Sequence, residues 1–407
     1  MPRTVPFWLD ALPRTRRPAY PAFRGDLETD VVVIGAGLTG CACALSFAAA
    51  GVKTVLLEAG RVGAASTAAS VGIIREDFDA SFQAVSSAYG LRAARRLWQD
   101  MRRASLDLAA AIRRYNIKCD LEPQDLMQLV GRDPAPVRRL RREYEARREA
   151  GLEHSWVTAA ALARETSIEA GAAIRTRGFV FDPYRACLGF AAAAAARGAS
   201  VFERAVVRRV RAGRKRVEVR TANGAISAQA VVVATAAPLP DLRALRRHLH
   251  AMQSYAVVTA TLPAAVRREL GRRAASLRDG GDPPHFLRWM KDDRVLFSGA
   301  DQAPVPARAL DKALVQRAGQ LMYELSTVFP AISGALAEAA WQVDYDLTVD
   351  GLPYVGVHRN FPRHLFALGH GRHGAAVAWL AARVLLRHYQ GAVEKGDALL
   401  GFGRILK

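Results

Sequence analysis

The sequence predicts an α/β fold, α+β overall, in which a domain with a parallel sheet carries an inserted domain of antiparallel strands and helices. Two kinds of strand indicate this mixture. Continuous apolar runs, at Val31–Ile34 and residues 230–235, are typical of strands buried on both faces of a parallel sheet. Alternating runs, at residues 254–261 and 295–298, are typical of antiparallel strands with one buried face. A chain of 407 residues is long enough for two such domains.

The first regular elements are a strand, a glycine-rich turn and a helix. Gly35, Gly37 and Gly40 stand in a GxGxxG pattern between the strand Val31–Ile34 and a helix predicted over residues 38–50. The first glycine permits the tight turn, the second lets backbone amides approach a pyrophosphate, and the third allows close packing of helix on strand. The amino-terminal end of the helix stabilises phosphate charge. This pattern predicts a Rossmann-type dinucleotide-binding unit.

A carboxylate and a second glycine-rich turn favour one dinucleotide over another. Glu58 follows the strand Thr54–Leu57, where its carboxylate can accept hydrogen bonds from ribose hydroxyls. Small residues and two hydroxyls follow at residues 63–67, and GHGRHG at residues 369–374 offers a second helix amino terminus. Such a helix end can stabilise a negatively charged reduced flavin. Two turns of this kind suit FAD better than NAD. From these segments we predict that the FAD-binding residues include Gly35, Ala36, Gly37, Leu38, Thr39, Gly40, Glu58, Ala59, Arg61, Ser66, Thr67 and Gly369.

Motifs spread along the chain support this interpretation, and the first and the last of them are specific in combination. They are DVVVIGAGLTG with LLEAG, then FDPYR, VVVATAAP, FLRWMKDDRVLFSGAD, DGLPYVG and GHGRHG. With them the chain, from about residue 20 to residue 391, resembles the D-amino acid oxidase, glycine oxidase and sarcosine oxidase superfamily of FAD-dependent enzymes. The resemblance is strongest to the gamma-glutamylputrescine oxidase-like branch. It implies that Val207 contacts the adenine, that Thr235 lies near the adenosine, and that Gly371, Arg372, His373 and Gly374 line the flavin ring.

The resemblance also implies an activity. Members of this superfamily oxidise a small amine or amino acid to an imine by hydride transfer to the flavin, which oxygen or another acceptor then reoxidises. Three segments depart from the family pattern. Residues 66–72 lack the usual Arg and Asn, Ala236 replaces a Gly, and no Gly follows Trp341. FAD binding tolerates these changes, but substrate identity and the use of oxygen do not carry over, so a dehydrogenase with a quinone or protein acceptor is the alternative.

Arg288 and His373 are the predicted catalytic residues. Arg288 shares one face of the strand at residues 286–290 with apolar side chains, so it needs a partner. That partner is either a substrate carboxylate, gripped in a bidentate manner over the flavin, or the acidic turn at residues 292–293. His373 is predicted to tune the flavin, and the alternative is a structural role at the start of a helix.

The composition and charge of the chain bear on the other classes of function. A formal charge of +20 raises a rival, a basic nucleic-acid-binding protein with a vestigial Rossmann unit. The arginines are scattered beside alanines and glutamates with few aromatics to stack bases, so we expect no specific nucleic-acid partner. Cys41 and Cys43 point to different helix faces, and no metal site is predicted. Without a secretory leader or a long apolar run, we expect a cytoplasmic protein with no membrane span.

The order of elements predicts three parts of the chain. An irregular arm, residues 1–29, lies over the surface. Residues 85–152 and 249–334 form a substrate domain, in which one helix covers about residues 88–115, and Tyr255 and Trp289 either wall the pocket or pack in the core. Residues 201–210 form one strand, and Asn223-Gly224 is the turn of a hairpin. The remaining segments form a discontinuous FAD-binding domain made of residues 30–84, 153–248 and 335–407.

Overall fold

The structure is a computed structural model and describes residues 2–236, 238–372 and 374–406. Its strands form four sheets. In chain order the strands are β1 Leu27–Glu28, β2 Val31–Ile34, β3 Thr54–Leu57, β4 Ile73–Ile74, β5 Glu122–Pro123, β6 Asp125–Val130, β7 Ser155–Thr158, β8 Ala172–Thr176, β9 Phe179–Val180, β10 Ser200–Phe202 and β11 Val207–Ala212. They continue with β12 Val217–Thr221, β13 Gly224–Ala228, β14 Ala230–Ala236, β15 Leu249–Thr259, β16 Ala275–Arg278, β17 Phe286–Trp289, β18 Val295–Gln302, β19 Ala337–Thr348, β20 Tyr354–His358 and β21 Phe361–Leu368.

Helices connect these strands. The α-helices are α1 Phe7–Ala11, α2 Leu38–Ala49, α3 Ser66–Ala69, α4 Phe82–Tyr89, α5 Leu91–Arg114, α6 Pro134–Glu149, α7 Ala159–Glu165, α8 Pro183–Ala195, α9 Ala264–Glu269, α10 Leu310–Val328 and α11 Gly374–Gln390. Short 3₁₀ helices occupy Arg14–Arg16, Pro240–His248, Ala307–Ala309, Pro330–Ile332, Asp397–Leu400 and Phe402–Leu406. In the part of the chain that the structure describes, no helix is long and apolar enough to cross a lipid bilayer.

A six-stranded sheet carries the glycine-rich turn. Its strand order is β10-β3-β2-β14-β21-β20, and neighbouring strands are parallel except for β20, which runs antiparallel to β21. Val31 and Val33 pack against a layer that contains α2, α8 and α11, while Val32 and Ile34 pack against the four-stranded sheet β1-β13-β12-β11. Both faces are therefore covered, which explains why β2 is a continuous apolar run. The predicted buried strand and the hairpin between β12 and β13 are confirmed.

An eight-stranded sheet with the order β19-β15-β18-β17-β16-β6-β8-β7 forms the second large layer. Its longest pair is β15 with β19, and helix α10 packs on this sheet through an apolar cluster that includes Tyr255 and Leu321. The predicted domain boundaries after residues 152 and 334 are wrong, because β7, β8 and β19 pair within this sheet. Pairing between strands distant in the sequence decides the boundary, and a local pattern does not encode it.

The helix predicted over residues 88–115 is two helices, α4 and α5. They meet at Gly90, whose φ of +87° interrupts the helical backbone. Leu97, Trp98 and Met101 of α5 join the same apolar core as α2 and α11. The predicted boundary after residue 84 therefore does not separate two cores.

The amino-terminal arm and the segment after α8 also differ from the predictions. The arm does not simply lie over the surface, because Trp8 and Phe23 are buried in the core, with 5% and 2% of their surface exposed. The strand predicted over residues 201–210 is interrupted at Arg204, which has a φ of +52°. As a result β10 joins the six-stranded sheet and β11 the four-stranded sheet. An Arg does not predict such a turn, since residues other than Gly rarely adopt a positive φ.

Candidate functional site

A cavity of about 660 Å³ lies where the carboxyl ends of the parallel strands meet the eight-stranded sheet. Gly35, Glu58, Thr235 and His370, which lie at or just after the ends of β2, β3, β14 and β21, line one side. Residues of β15, β17, β18 and β19 line the other side, among them Phe286. Crevices at the carboxyl ends of strands are where open α/β sheets bind ligands. This cavity is the candidate functional site.

The glycine-rich turn contains close backbone approaches that a side chain would block. Gly35 has a φ of +95°, and a Cβ atom there would lie 2.6 Å from the carbonyl oxygen of Ala234. A Cβ atom at Gly40 would lie 1.7 Å from the carbonyl oxygen of Gly35, so the first turn of α2 packs directly on the preceding turn. At Gly37 the nearest atom is Oγ1 of Thr67, at 3.2 Å. The first and third glycines therefore permit the turn itself, whereas Gly37 faces the cavity.

Glu58 anchors this turn through both carboxylate oxygens. Its Oε2 accepts a hydrogen bond from the backbone N–H of Ala36 at 2.8 Å, and its Oε1 accepts one from Gly60 at 2.8 Å. The side chain is half-buried and lines the cavity just after β3. Each carboxylate oxygen can accept more than one hydrogen bond, so Glu58 retains acceptor capacity for ligand hydroxyls.

The amino terminus of α2 also meets the cavity. Leu38 and Thr39 line it, and the N–H of Leu38 donates to Oγ1 of Thr67 at 2.9 Å. The N–H groups in the first turn of a helix lack intrahelical acceptors and carry partial positive charge. Together with Glu58, this helix end gives the cavity the groups that a dinucleotide requires, namely an anion site beside a ribose acceptor.

Most residues that the sequence predicts to bind FAD line this one cavity. They come from separate segments of the chain and are Gly35, Gly37, Leu38, Thr39, Glu58, Ala59, Arg61, Ser66, Thr67, Val207, Thr235, Gly371, Arg372 and Gly374. Ala36 and Gly40 lie beneath the turn, and Gly369 lies against Thr348, so these three are not part of the lining. His373 lies outside the described residues, and its contact with the flavin stays a prediction.

Arg288 does not line the cavity, and its contacts are with the backbone. Its Nη1 atom lies 2.7 Å from the carbonyl oxygen of Phe181, 3.0 Å from that of Gly72 and 3.1 Å from that of Val71. The guanidinium lies over the ring of Trp8, 4.8 Å from its centroid. Burial lowers the pKa of Arg288 to about 10. The predicted orientation of Arg288 over a flavin is therefore wrong, because these carbonyl groups hold the guanidinium behind the cavity wall.

The acidic turn that was the alternative partner of Arg288 is engaged elsewhere. Asp292 pairs with Arg294. Asp293 pairs with Arg267 and with Arg273, the latter at 2.8 Å. Both predicted partners of Arg288 are thus replaced by backbone carbonyl groups, which sequence patterns do not reveal.

Buried donors from distant parts of the chain hold residues 69–72, which we call the clamped segment. Trp341 Nε1 donates to its first carbonyl oxygen at 2.9 Å, and Trp8 Nε1 donates to its second at 2.8 Å. Arg288 contacts the third and the fourth. Ser70 and Val71 of this segment line the cavity. Four consecutive carbonyl groups are therefore fixed from behind, which sets the shape of this part of the wall.

Tyr255 and Trp289 belong to the core and not to the pocket wall. They are 0% and 8% exposed and pack in the cluster beneath α10. The hydroxyl of Tyr255 accepts a hydrogen bond from Nε2 of Gln302 at 2.7 Å. Phe181, Phe286 and Tyr345 are aromatic residues that line the cavity near this sheet.

An ion-pair cluster lies where β18 and β19 line the cavity. Arg372 places its Nη2 and Nε atoms 2.8 Å and 2.9 Å from Oδ2 of Asp301, and its Nη1 lies 3.4 Å from Oδ1 of Asp79. The hydroxyl of Tyr345 donates to the same Oδ2 of Asp301. Burial and the Asp301 carboxylate raise the pKa of Tyr345, so the hydroxyl stays protonated. Asp301, Tyr345 and Arg372 all line the cavity.

His370 connects the end of β21 to the start of α2. Its Nδ1 lies 3.2 Å from Oγ1 of Thr39. Burial lowers the pKa of His370 to about 4, so the imidazole is neutral near pH 7. Its Nε2 is buried and has no hydrogen-bond partner among the residues that the structure describes. A neutral imidazole therefore forms part of the cavity wall at this point.

Sequence reasoning missed the cavity residues that the eight-stranded sheet supplies. Examples are Ser254, Ser298, Asp301 and Tyr345. The alternating pattern indicated these strands, but the pairing of β15 with β18 and β19 decides which side chains reach the cavity. The only signal was the motif that ends at Asp301, and it does not say which of its side chains enters a site.

Comparisons with known proteins agree with this geometry. The DAO family, described as FAD dependent oxidoreductase, matches residues 30–387. The chain is 27% identical to gamma-glutamylputrescine oxidoreductase of Escherichia coli K12, over 93% of this chain and 88% of that protein. It is 26% identical to the probable oxidoreductase OrdL of Haemophilus influenzae, over 95% of this chain and 90% of that protein. The crystal structure of glycine oxidase from Geobacillus kaustophilus shares the fold, with a TM-score of 0.72, 21% identity and coverage of 91% of this chain and 96% of that chain.

The cavity fits the cofactor that this family uses. Gly35 and Gly40 make room for the turn, the start of α2 offers N–H groups, and Glu58 offers a carboxylate. The family match covers most of the chain and includes all of these residues. The chain belongs to the DAO family of FAD dependent oxidoreductases, and FAD is its cofactor.

Proposed function

We propose that the protein oxidises a small amine or amino acid to an imine. The observation that carries this proposal is the extent of one cavity, which reaches from the turn at Gly35 to the polar cluster of Asp301, Tyr345 and Arg372. A cofactor site and a site for a small polar molecule are thus parts of the same space. The names of the relatives support the substrate class, because one is an oxidoreductase of gamma-glutamylputrescine and another is a glycine oxidase.

The chain's own residues bind the amine, orient it and exclude water. FAD, when bound, accepts a hydride from the carbon that bears the nitrogen, and the resulting imine is hydrolysed by water. Phe181, Phe286 and Val71 give the cavity apolar walls, which favour the neutral form of an amine over the ammonium ion. An amine that binds in its neutral form needs no protein base. Positioning and desolvation are therefore the contributions that we assign to the protein.

For the cofactor we propose roles that follow from positions in the cavity. Glu58 accepts hydrogen bonds from the ribose hydroxyls, and the first turn of α2 holds the pyrophosphate. Val207 contacts the adenine, and the start of α11 lies beside the flavin ring. His373, which precedes α11 in the sequence, remains our candidate for tuning the flavin.

The electron acceptor distinguishes an oxidase from a dehydrogenase. We propose oxygen, and a quinone or a protein is the alternative. The experiment mixes the holoenzyme anaerobically with a panel of amines and amino acids and records loss of the flavin absorbance. Mixing the reduced enzyme with air and, separately, with a soluble quinone then compares the two reoxidation rates. The substrate class is wrong if no member of the panel bleaches a flavin that dithionite reduces.

A further inference from the structure

Phe286 brings an aromatic ring to the side of the cavity that the eight-stranded sheet forms. It lies on β17, opposite Arg278 of β16 and Ser298 of β18, and it lines the cavity together with Ser298. Directly opposed residues of antiparallel strands share a face, so these three side chains lie on the same face of the sheet. The Phe286 side chain is buried, with 7% of its surface exposed. The plane of its ring therefore shapes the cavity wall at this point.

A buried guanidinium lies over this ring from outside the cavity. The central guanidinium carbon of Arg75 is 4.5 Å from the ring centroid of Phe286, and Arg75 does not line the cavity. Arg75 is removed from solvent, with 4% of its surface exposed, and the attraction between a cation and a ring is stronger there than at an exposed site. Burial lowers the pKa of Arg75 to about 10, so the guanidinium keeps its charge near pH 7.

Ion pairs hold Arg75 in this place. Its Nε lies 3.4 Å from Oδ1 of Asp77, and Oδ2 of the same carboxylate lies 3.6 Å from Nη1 of Arg278. Asp77 thus joins Arg75 to β16, the strand next to that of Phe286. Separating a buried charge from its ion partner is costly, so the guanidinium is not easily displaced from the ring.

Other parts of this wall are fixed by the same strand. Arg288, two residues after Phe286 on β17, contacts carbonyl oxygens of the clamped segment and of Phe181. Phe181 and part of the clamped segment line the cavity. The ring held by Arg75 and the backbone held by Arg288 therefore form one stiff part of the wall. A pocket with stiff walls discriminates between ligands by their width, because no side chain turns aside to relieve an overlap.

We propose that Arg75 is a positioning residue that acts through the ring of Phe286 and makes the pocket selective for amines with an unbranched carbon chain. The proposal rests on the amine oxidation proposed above. Arg75 fixes the plane of the ring, so a slim alkyl chain fits beside it, whereas a wide group has to push the ring against the guanidinium. Without Arg75 the ring turns more freely about χ2, for which phenylalanine has a broad energy minimum, and the pocket accepts wider ligands.

The experiment compares two monoamines that differ in width, pentylamine and cyclohexylmethylamine. Calorimetric titration of the dithionite-reduced holoenzyme under anaerobic conditions measures binding without turnover, and reduction of the oxidised enzyme by each amine is recorded separately. We expect pentylamine to bind at least about tenfold more tightly, although the wider amine has more apolar surface. Equal affinities, or the reverse order, would overturn the proposal.

Arg75→Lys keeps the charge that pairs with Asp77 but lacks the planar group that covers the ring. We expect the ratio of the two dissociation constants to fall at least about threefold in this variant, and further in Arg75→Met. A merely structural residue would affect both amines alike and leave the ratio unchanged, and such a result would contradict the assignment. If Arg75→Met does not retain FAD, the milder Arg75→Lys decides the matter.

Phe286→Leu tests whether Arg75 acts through the ring. We expect this substitution by itself to lower the ratio of the two dissociation constants. In the Phe286→Leu background we expect Arg75→Lys to have no further effect on the ratio, because the group through which it acts is gone. An equal effect of Arg75→Lys in both backgrounds, or an unchanged ratio in Phe286→Leu, would refute the proposal.

Arg147→Lys is the matched control. Arg147 is as buried as Arg75, pairs with Glu143 at 2.7 Å and lies over the ring of Trp98, which does not line the cavity. We expect an unchanged ratio, and an equal fall in both arginine variants would remove Arg75 as the specific residue. Selective binding that depends on Arg75, but without flavin reduction by either amine, would sustain the positioning role and refute the proposed oxidation. Flavin reduction by both amines with equal affinities would do the opposite.

Discussion

The Nη1 atom of Arg288 lies 3.0 Å from the carbonyl oxygen of Gly72, and a Cβ atom at Gly72 would lie 2.4 Å from that nitrogen. The guanidinium thus fills the space directly behind the clamped segment. We expect Arg288→Lys to lower the free energy of unfolding by about 2 kcal/mol or more, because an ammonium group is costlier to bury than a guanidinium and cannot stack on the ring of Trp8. We also expect equal losses of flavin reduction rate for amines with and without a carboxylate. Thermal unfolding and anaerobic stopped-flow measurements test both statements.

Arg294→Lys is the control for this variant. Arg294 is partly exposed and pairs with Asp292 and Glu338, so we expect a loss of less than about 1 kcal/mol. A selective loss for carboxylate-bearing substrates in Arg288→Lys would restore the role that the sequence suggested.

Glu58 is the residue through which FAD affinity is best tested. In Glu58→Gln one oxygen remains an acceptor, while the new NH₂ group faces either the N–H of Ala36 or that of Gly60. We expect the dissociation constant of FAD to rise roughly tenfold, which corresponds to about 1.4 kcal/mol. Titration of the apoprotein with FAD, followed by flavin fluorescence, measures it. Glu218→Gln, on the four-stranded sheet, is the control, and indistinguishable constants for both variants would exclude Glu58 as the ribose ligand.

Gly40→Ala tests the packing of α2 on the turn. Its Cβ atom would lie 1.7 Å from the carbonyl oxygen of Gly35, a backbone atom that cannot move without distorting β2. We expect loss of FAD retention and a lower unfolding temperature. Gly60→Ala is the matched control, because its Cβ atom would meet only Oε1 of Glu58, at 3.6 Å. Retention of FAD by purified Gly40→Ala would show that the turn has room for a side chain at this position.

The ion pairs of His285 predict a pH-dependent contribution to stability. Its Nδ1 lies 2.7 Å from Oδ2 of Asp279, and its Nε2 lies 3.0 Å from Oε2 of Glu324. Burial lowers the pKa of His285, but the two carboxylates outweigh this effect and raise it above the usual value. The stabilisation is therefore complete below the unfolded pKa of about 6.5 and is lost as the pH rises through the folded pKa. We expect His285→Gln to lower the unfolding temperature more at about pH 6 than at about pH 9.

His248→Gln is expected to show the opposite dependence of stability on pH. Burial lowers the pKa of His248, so its native environment destabilises the charged form and the wild-type protein loses stability as the pH falls. We therefore expect the unfolding temperature of His248→Gln, relative to that of the wild type, to be higher at about pH 6 than at about pH 9. If the loss of unfolding temperature in His285→Gln grew with pH, the two carboxylates would not be stabilising the charged imidazolium.

The dinucleotide turn was predictable because everything that forms it is local. Gly35 and Gly40 contact each other across five residues, and Glu58 lies at the end of the adjacent strand. The partners of Arg288 illustrate the opposite case. Two of its three carbonyl groups belong to residues more than two hundred positions away, and carbonyl groups leave no trace in the sequence.

The domain boundaries failed for a related reason. β8 pairs with β6, and β19 pairs with β15, although each pair is separated by a long stretch of chain. Local periodicity gives the type of an element, but the register between distant strands is set by packing of the whole sheet. The position of Asp301 at the cavity depends on the same register, so it could not be predicted from the pattern of β18 alone.

The clamped segment has a consequence for how molecules enter and leave the cavity. Its four carbonyl groups are bound by donors from residues 8, 288 and 341, so opening this wall would break several hydrogen bonds at once, at a combined cost of roughly 2–6 kcal/mol. Such cooperative opening is rare at equilibrium. Substrate and product are therefore expected to exchange through another side, and fraying of the amino terminus at Trp8 would loosen a surface far away in the sequence.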